Sequence, residues 1–135
     1  MPPPDPLPTH IYKILPSPPP HDLPDYFPVS DLDANDGFIH LSTAEQVPGT
    51  VSRFFSNQTS IWLLQLELAA LEGRDGGERS VKWEQSGSWC FPHVYHSDLS
   101  KALGRKDVVS LVEVHRNEGE AWEGLVREAL RSAES

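Results

Sequence analysis

The chain is poor in cysteine, poor in positive charge and without a long apolar run. A single Cys90 among 135 residues excludes an internal disulfide framework and a cysteine-built zinc site, and fits a reducing compartment. Eleven basic against twenty acidic residues give a formal net charge of −9. That balance repels polyanions and argues against nucleic acid or an anionic membrane as partner, while a small anionic ligand is compatible where local donors converge. No stretch approaches the ~20 apolar residues of a spanning helix. The opening Met1-Pro2-Pro3-Pro4-Asp5 lacks the basic and apolar regions of a secretion signal, so a cytosolic protein is expected. Gly-x-Ser-x-Gly, P-loop and Gly-x-Gly-x-x-Gly patterns do not occur, which leaves serine-elbow and phosphate-loop chemistry without a signal.

What is present suits one α+β domain over residues 10–135, preceded by a proline-rich arm at 1–9. His10 to Leu15 (HIYKIL) reads as a first strand. Pro16 to Pro28 holds six prolines and must be irregular. Asp31 to Gly37 reads as a turn. Val47, Val51, Phe54 and Phe55 mark one apolar helix face, with a first turn at Thr43 to Gln46. Ser60 to Leu68 (SIWLLQLEL) predicts a central strand, since Trp62, Leu64, Leu66 and Leu68 make one face while Ile61 and Leu63 partly cover the other. A polar, glycine-rich loop at Glu72 to Ser80 is expected to be mobile. A short strand Val81 to Glu84, a turn-like Gln85 to Trp89, a strand Val108 to His115 and a helix from about Glu118 to Ser132 complete the chain. This order implies helices packed on a mainly antiparallel sheet.

The densest chemical signal is Asp36-Gly37-Phe38-Ile39-His40-Leu41-Ser42-Thr43. Alternation places His40 on one side of a strand with Phe38 and Ser42. Ser42 or Thr43 can then cap a helix, with Glu45 or Gln46 at capping-box spacing, so that free backbone N–H groups adjoin an imidazole. The plainer reading is a structural histidine beside an ordinary cap.

A second cluster weighs against that plainer reading. Lys82-Trp83-Glu84 is followed by Phe91-Pro92-His93-Val94-Tyr95-His96, and with His40 these supply imidazoles and a carboxylate for general acid–base work near neutral pH. His40, Ser42, Glu84 and His93 are expected to line one concave site. The catalytic candidates are His40, Glu84 and His93, and the candidate substrate-binding residues are Tyr12, Ser42, Thr43, Lys82, Trp83 and Tyr95. No metal is expected, because His93-x-x-His96 lacks helical ligand spacing and only one cysteine exists. Cys90, between Trp89 and Phe91, reads as an inert buried thiol.

In order, IYKIL, DGFIHLSTAEQV, IWLLQLEL, KWE and FPHVY resemble the domain-of-unknown-function 952 family over about Ile11 to Val114. That family resembles the ADP-ribosyltransferase-like fold, a split antiparallel sheet whose cleft takes a nicotinamide dinucleotide. The resemblance implies His40-Leu41-Ser42 as the ribose-holding His motif, Glu84 as the carboxylate facing an oxocarbenium ion, and NAD as a possible substrate with no certain cofactor. The stacking Tyr of that fold has no clear match, Trp62 and Tyr95 being the nearest aromatics.

Three readings follow. One is a transferase-like enzyme acting on NAD or another nucleotide-like small molecule. The second is a cofactor-free lyase, isomerase or hydrolase of a metabolite that uses His40, Glu84 and His93. The third is a non-catalytic binding module.

Overall fold

The architecture is that of a computed structural model, which describes residues 3–72 and 77–134. Among the described residues, seven strands and four α-helices follow one another as β1 (His10–Leu15), α1 (Asp31–Asp36), β2 (Ile39–His40), β3 (Ser42–Thr43), α2 (Val47–Phe54), β4 (Ser60–Glu67), α3 (Leu68–Leu71), β5 (Arg79–Ser86), β6 (Trp89–His96), β7 (Val108–His115) and α4 (Trp122–Glu134). Two antiparallel sheets result, one ordered β3-β1-β4-β7 and the other β2-β6-β5.

The four-stranded sheet is buried on both faces because its strands alternate apolar residues to either side. Ile11, Leu64 and Leu66 meet Ile39, Leu41 and Val94 in a core between the two sheets. Tyr12, Ile61, Leu63 and Val114 meet Val47 and Val51 of α2 and Trp122, Val126 and Leu130 of α4 on the other face. The layers are therefore helices, four-stranded sheet, three-stranded sheet. One face of the smaller sheet is left outward, and the candidate site stands there.

Tyr12 does not reach that outward face. Its hydroxyl donates to Glu134 (2.8 Å) and accepts from Gln65 Nε2 (3.0 Å), while His10 holds the same carboxylate at 2.8 Å. Burial first, and the Glu134 carboxylate as well, push the phenol well above its ordinary range. Tyr12 fastens the end of α4 to β1 and β4, and its expected role toward substrate is corrected accordingly.

Four local expectations are also corrected. The Asp31–Asp36 segment is a helix, closed by Ser30 at one end and by Gly37 (φ 83°) at the other; only a residue tolerant of positive φ ends a helix this way. The strand through His40 breaks at Leu41 and passes from one sheet to the other. Leu41 N still donates to Pro92 O (3.2 Å), but Ser42 already pairs with Tyr12. The segment after Trp89 is a full strand, despite Pro92 at its centre. Gln85 and Ser86 belong to β5, leaving only Gly87-Ser88 as the turn, with Gly87 at φ 64°. Residues 73–76 of the expected mobile loop lie outside the described residues, and Arg79 and Ser80 are part of β5.

The Pro16–Pro28 connection is irregular, as expected, and it is tied to the loop before β7. Phe27 N donates to Leu103 O and Arg105 N to Pro24 O. A Cβ on Gly104 would lie 1.7 Å from Asp25 O, so only glycine fits where this segment crosses. Among the described residues no helix is long and apolar enough to cross a membrane.

Candidate functional site

Register builds the site. In the smaller sheet His40 lies opposite His93, and His93 opposite Lys82. Alternation along β6 sends Cys90, Pro92 and Val94 inward and Phe91, His93 and Tyr95 outward. Lys82 and Glu84 share the outward face of β5. Two short segments, 33–40 and 82–95, thus bring imidazoles, carboxylates, a phenol and an ammonium to one surface.

Each imidazole has its own carboxylate. His40 Nδ1 is 2.6 Å from Asp33 Oδ1, and its Nε2 is 2.9 Å from Asp36 Oδ2. Both ring nitrogens of His40 thus face a carboxylate. His93 Nδ1 is 2.8 Å from Glu84 Oε1, which also accepts from Tyr95 OH at 2.6 Å. The two imidazole centroids are 5.4 Å apart, edge to face.

Asp33 anchors the His40 half. It is 1% exposed, takes Lys13 Nζ at 2.7 Å and accepts from the His40 backbone N–H at 3.2 Å. Burial pushes its carboxyl up, but the Lys13 ammonium and the hydrogen bonds from Lys13 and His40 together outweigh burial and hold it below the usual carboxylate range. Lys13 also donates to His40 O at 3.3 Å. A cavity of about 30 Å³ behind the pair is bounded by Lys13, Asp33, Phe27 and Leu103.

On the other half, hydrogen bonds from Tyr95 and then His93 hold Glu84 ionised below its ordinary range, and the same Glu84 bond pushes Tyr95 up to about 12. Burial lowers His93 more than Glu84 raises it. His93 is thus a largely neutral, oriented base at neutral pH. With its folded value below the ordinary ~6.5, the unfolded chain takes up this proton first as pH falls, so stability declines from about pH 6.5 down to the folded value. Urea unfolding at pH 7 and pH 5.5 is expected to show a larger loss for wild type than for His93→Gln; equal losses would remove this assignment.

Phe38 lies at the centre of the face. Its ring stacks on His93 (4.1 Å, 22°) and also touches His40 (4.6 Å) and Tyr95 (5.2 Å). Lys82 Nζ lies 4.6 Å from the Tyr95 ring centroid. The structure therefore gathers His40, Glu84, His93, Tyr95 and Lys82, but not in the expected concavity, because Phe38 fills the middle. Ser42 and Thr43 are buried in the larger sheet instead. There Thr43 and Gln46 close a turn ahead of α2, the Thr43 N–H donating to Gln46 Oε1 and the Gln46 N–H to Thr43 Oγ1; α2 itself begins at Val47 with Gln46 before it and no side-chain cap, so the expected helix cap at Ser42 or Thr43 is corrected. Trp83 points to the core between the sheets. These three, like Tyr12, are corrected as lining residues.

Sequence reading missed Asp33, Asp36 and Lys13. The one available signal for Asp33 was Ser30-x-x-Asp33, a helix-start spacing, and Ser30 Oγ does accept from Asp33 N at 3.1 Å. Among the described residues no group of three or more His, Cys, Asp or Glu side chains is arranged to hold a metal ion.

Similarity to other proteins agrees with this frame. The family described as "Protein of unknown function (DUF952)" matches residues 22–111. The chain belongs to that family. The match leaves out β1 and α4, which nonetheless build much of the larger sheet's packing. A crystal structure of Protein CC0527 from Caulobacter crescentus is 30% identical, with 87% of this chain and 92% of that chain covered and a TM-score of 0.61. A solution structure of the same Caulobacter crescentus protein covers 82% and 88%, again at 30% identity, with a TM-score of 0.55. No curated protein matches this chain.

Proposed function

We propose that the outward face of the smaller sheet is the acid–base site of an enzyme acting on a small molecule. The observation supporting this is the approach of two imidazoles at 5.4 Å, each on its own carboxylate. His93 Nε2, with Nδ1 fixed by Glu84, removes a proton from a substrate C–H or O–H. The electron pair stays on the substrate and moves toward a second position, where His40, its Nδ1 held by Asp33, exchanges its Nε2 contact with the half-exposed Asp36 for the substrate and delivers that proton. Shifting a double bond in this way is an isomerisation, and expelling a protonated leaving group is an elimination. Neither needs an oxidant. Phe38 stacks on one face of the buried His93 ring, and a lower local dielectric strengthens the electrostatics there.

Positioned acid–base groups contribute ~10²–10⁴-fold. Incubation of purified protein with a mixed metabolite set, followed by mass spectrometry, is expected to show conversion by wild type and a loss of ~100-fold or more in His93→Gln, with the thermal midpoint little changed. Conversion at equal rates by both proteins would overturn the assignment.

A second reading has its own support. His40 and Glu84 share one face of a split antiparallel architecture, and Glu84 is held ionised, as an ADP-ribosyltransferase-like site facing an oxocarbenium ion requires. Calorimetric NAD binding with nicotinamide release that fails in Glu84→Gln but survives in His93→Gln would favour it over proton transfer.

A further inference from the structure

A cavity lies beside the tip of the β5–β6 hairpin, between Trp89 and Phe91 of β6 and the residues of α2 and the turn before it. It measures about 180 Å³ and is bounded by Trp89, Phe91, Phe54, Arg53, Glu45 and Gly49. Three of these are aromatic, and two of the three are unusually open, Phe54 at 69% and Trp89 at 46% exposed. Large aromatics standing in water around a cleft mark a binding surface more often than a structural one. Their positions are built in. Trp89 follows the tight Gly87-Ser88 turn and pairs with Ser86, which fixes it at the tip of the β5–β6 hairpin. Gln46 Nε2 donates to Cys90 O at 2.8 Å, clamping the start of α2, with Gly49 and Phe54, against the same tip.

We infer that this slot binds a planar aromatic or heteroaromatic ring, and that it is the recognition half of the acid–base site. The inference rests on the reading above for its second half. Size sets the ring. A dry cavity of about 150 Å³ holds benzene, so a slot of this volume, open on one side, takes one ring or a fused pair rather than a drug-sized ligand. Charge sets its polarity, because Arg53 and Glu45 stand in the same wall and neither sign prevails; the ring carries no net charge. Distance sets the rest of the molecule. Phe91 is two residues from His93 and directly opposite Glu84, a strand step of about 7 Å. The substrate class is therefore a flat, uncharged ring bearing its reactive polar group on a short arm.

Tryptophol, an indole on a two-carbon alcohol, is the probe, and 2-cyclohexylethanol is its non-planar control. With ¹⁵N-labelled protein, tryptophol is expected to move the Trp89 indole and Phe91 amide signals at millimolar concentration, while the control binds at least tenfold more weakly. An aromatic ring stacks on a flat ligand ring whatever its substituents, so Trp89→Ala should weaken tryptophol tenfold or more. A Cβ at Gly49 meets no atom within 4 Å, so Gly49→Leu should fill the slot and abolish binding without disturbing the fold, as far-UV circular dichroism would verify. Equal binding of both alcohols, or of tryptophol to all three proteins, would overturn the slot. His93→Gln separates the two ideas: it should leave tryptophol binding unchanged while removing turnover. Turnover that survives in His93→Gln beside normal tryptophol binding would sink the acid–base reading and leave the slot standing.

Discussion

Arg79→Leu is expected to lower the unfolding free energy by about 3–5 kcal/mol, the usual result of breaking a buried ion pair from one side. Arg79 is 1% exposed. Its guanidinium donates to Leu71 O (3.1 Å), Ala70 O (3.1 Å), Ala102 O (2.9 Å) and Asp107 Oδ2 (3.0 Å). Asp107 in turn accepts from Gly104 N at 2.9 Å. One side chain thus joins α3, β5 and the loop that leads into β7. Leucine would take this donor from three carbonyls and leave a buried carboxylate with the Gly104 N–H but without its counter-ion. Domains have only about 5–15 kcal/mol in total, so the thermal midpoint should fall by roughly 10–20 °C. Arg79→Lys should recover little, since a single ammonium cannot reproduce the planar fork. Urea unfolding of the three proteins measures this; a change under 1 kcal/mol in Arg79→Leu would show that the pairing is dispensable.

Asp33→Ala is expected to be the second most damaging change, at about 3 kcal/mol at pH 7, because it strands the Lys13 ammonium in a half-closed site. The sign of its pH dependence follows from the depressed carboxyl. A carboxylate held below its unfolded value of ~3.9 contributes fully above that pH, and the contribution disappears as pH falls through the folded value. The gap between wild type and Asp33→Ala should therefore be constant from pH 7 to about 5 and shrink toward pH 3. Urea midpoints across that range test it, and a gap that widens on acidification would contradict the assignment. Loss of Asp33 should also shift the His40 ring proton signals, whereas Arg79→Leu should leave them in place until unfolding.

Much of the fold was legible because its long strands obey simple alternation. His10–Leu15 and Val108–His115 appear where the sequence placed them, and the central strand is one residue shorter than expected, since Leu68 opens α3. The Thr43–Gln46 pairing was likewise legible from spacing, but it closes a turn and not the helix, which starts only at Val47. What escaped did so for identifiable reasons. Pro92 masked β6, yet that strand tolerates it because β2 is only two residues long and asks Pro92 for a carbonyl rather than an N–H. The acidic run Asp31 to Asp36 has the composition of a turn, and its ends, Ser30 and Gly37, are what make it a helix. Asp33 and His40 belong to different elements, a short helix and a strand joined through Gly37, so no single helical or strand period pairs them. Ser42 was assigned to the wrong side because alternation presumes one sheet, and the chain changes sheets at Leu41.

The outward placement of the candidate site also bears on how the family can diverge. Phe38, His40, Lys82, Glu84, His93 and Tyr95 all stand outside both apolar cores. A substitution among them alters what one surface presents without emptying a cavity in the packed layers, so drift at these positions is largely uncoupled from drift in the scaffold. Descent with a shared architecture and divided chemistry is then the easy path, and the 30% identity to the Caulobacter crescentus protein speaks for a common ancestor and not for a common reaction. For any relative, the residues to compare are these six, whatever the rest of the alignment says.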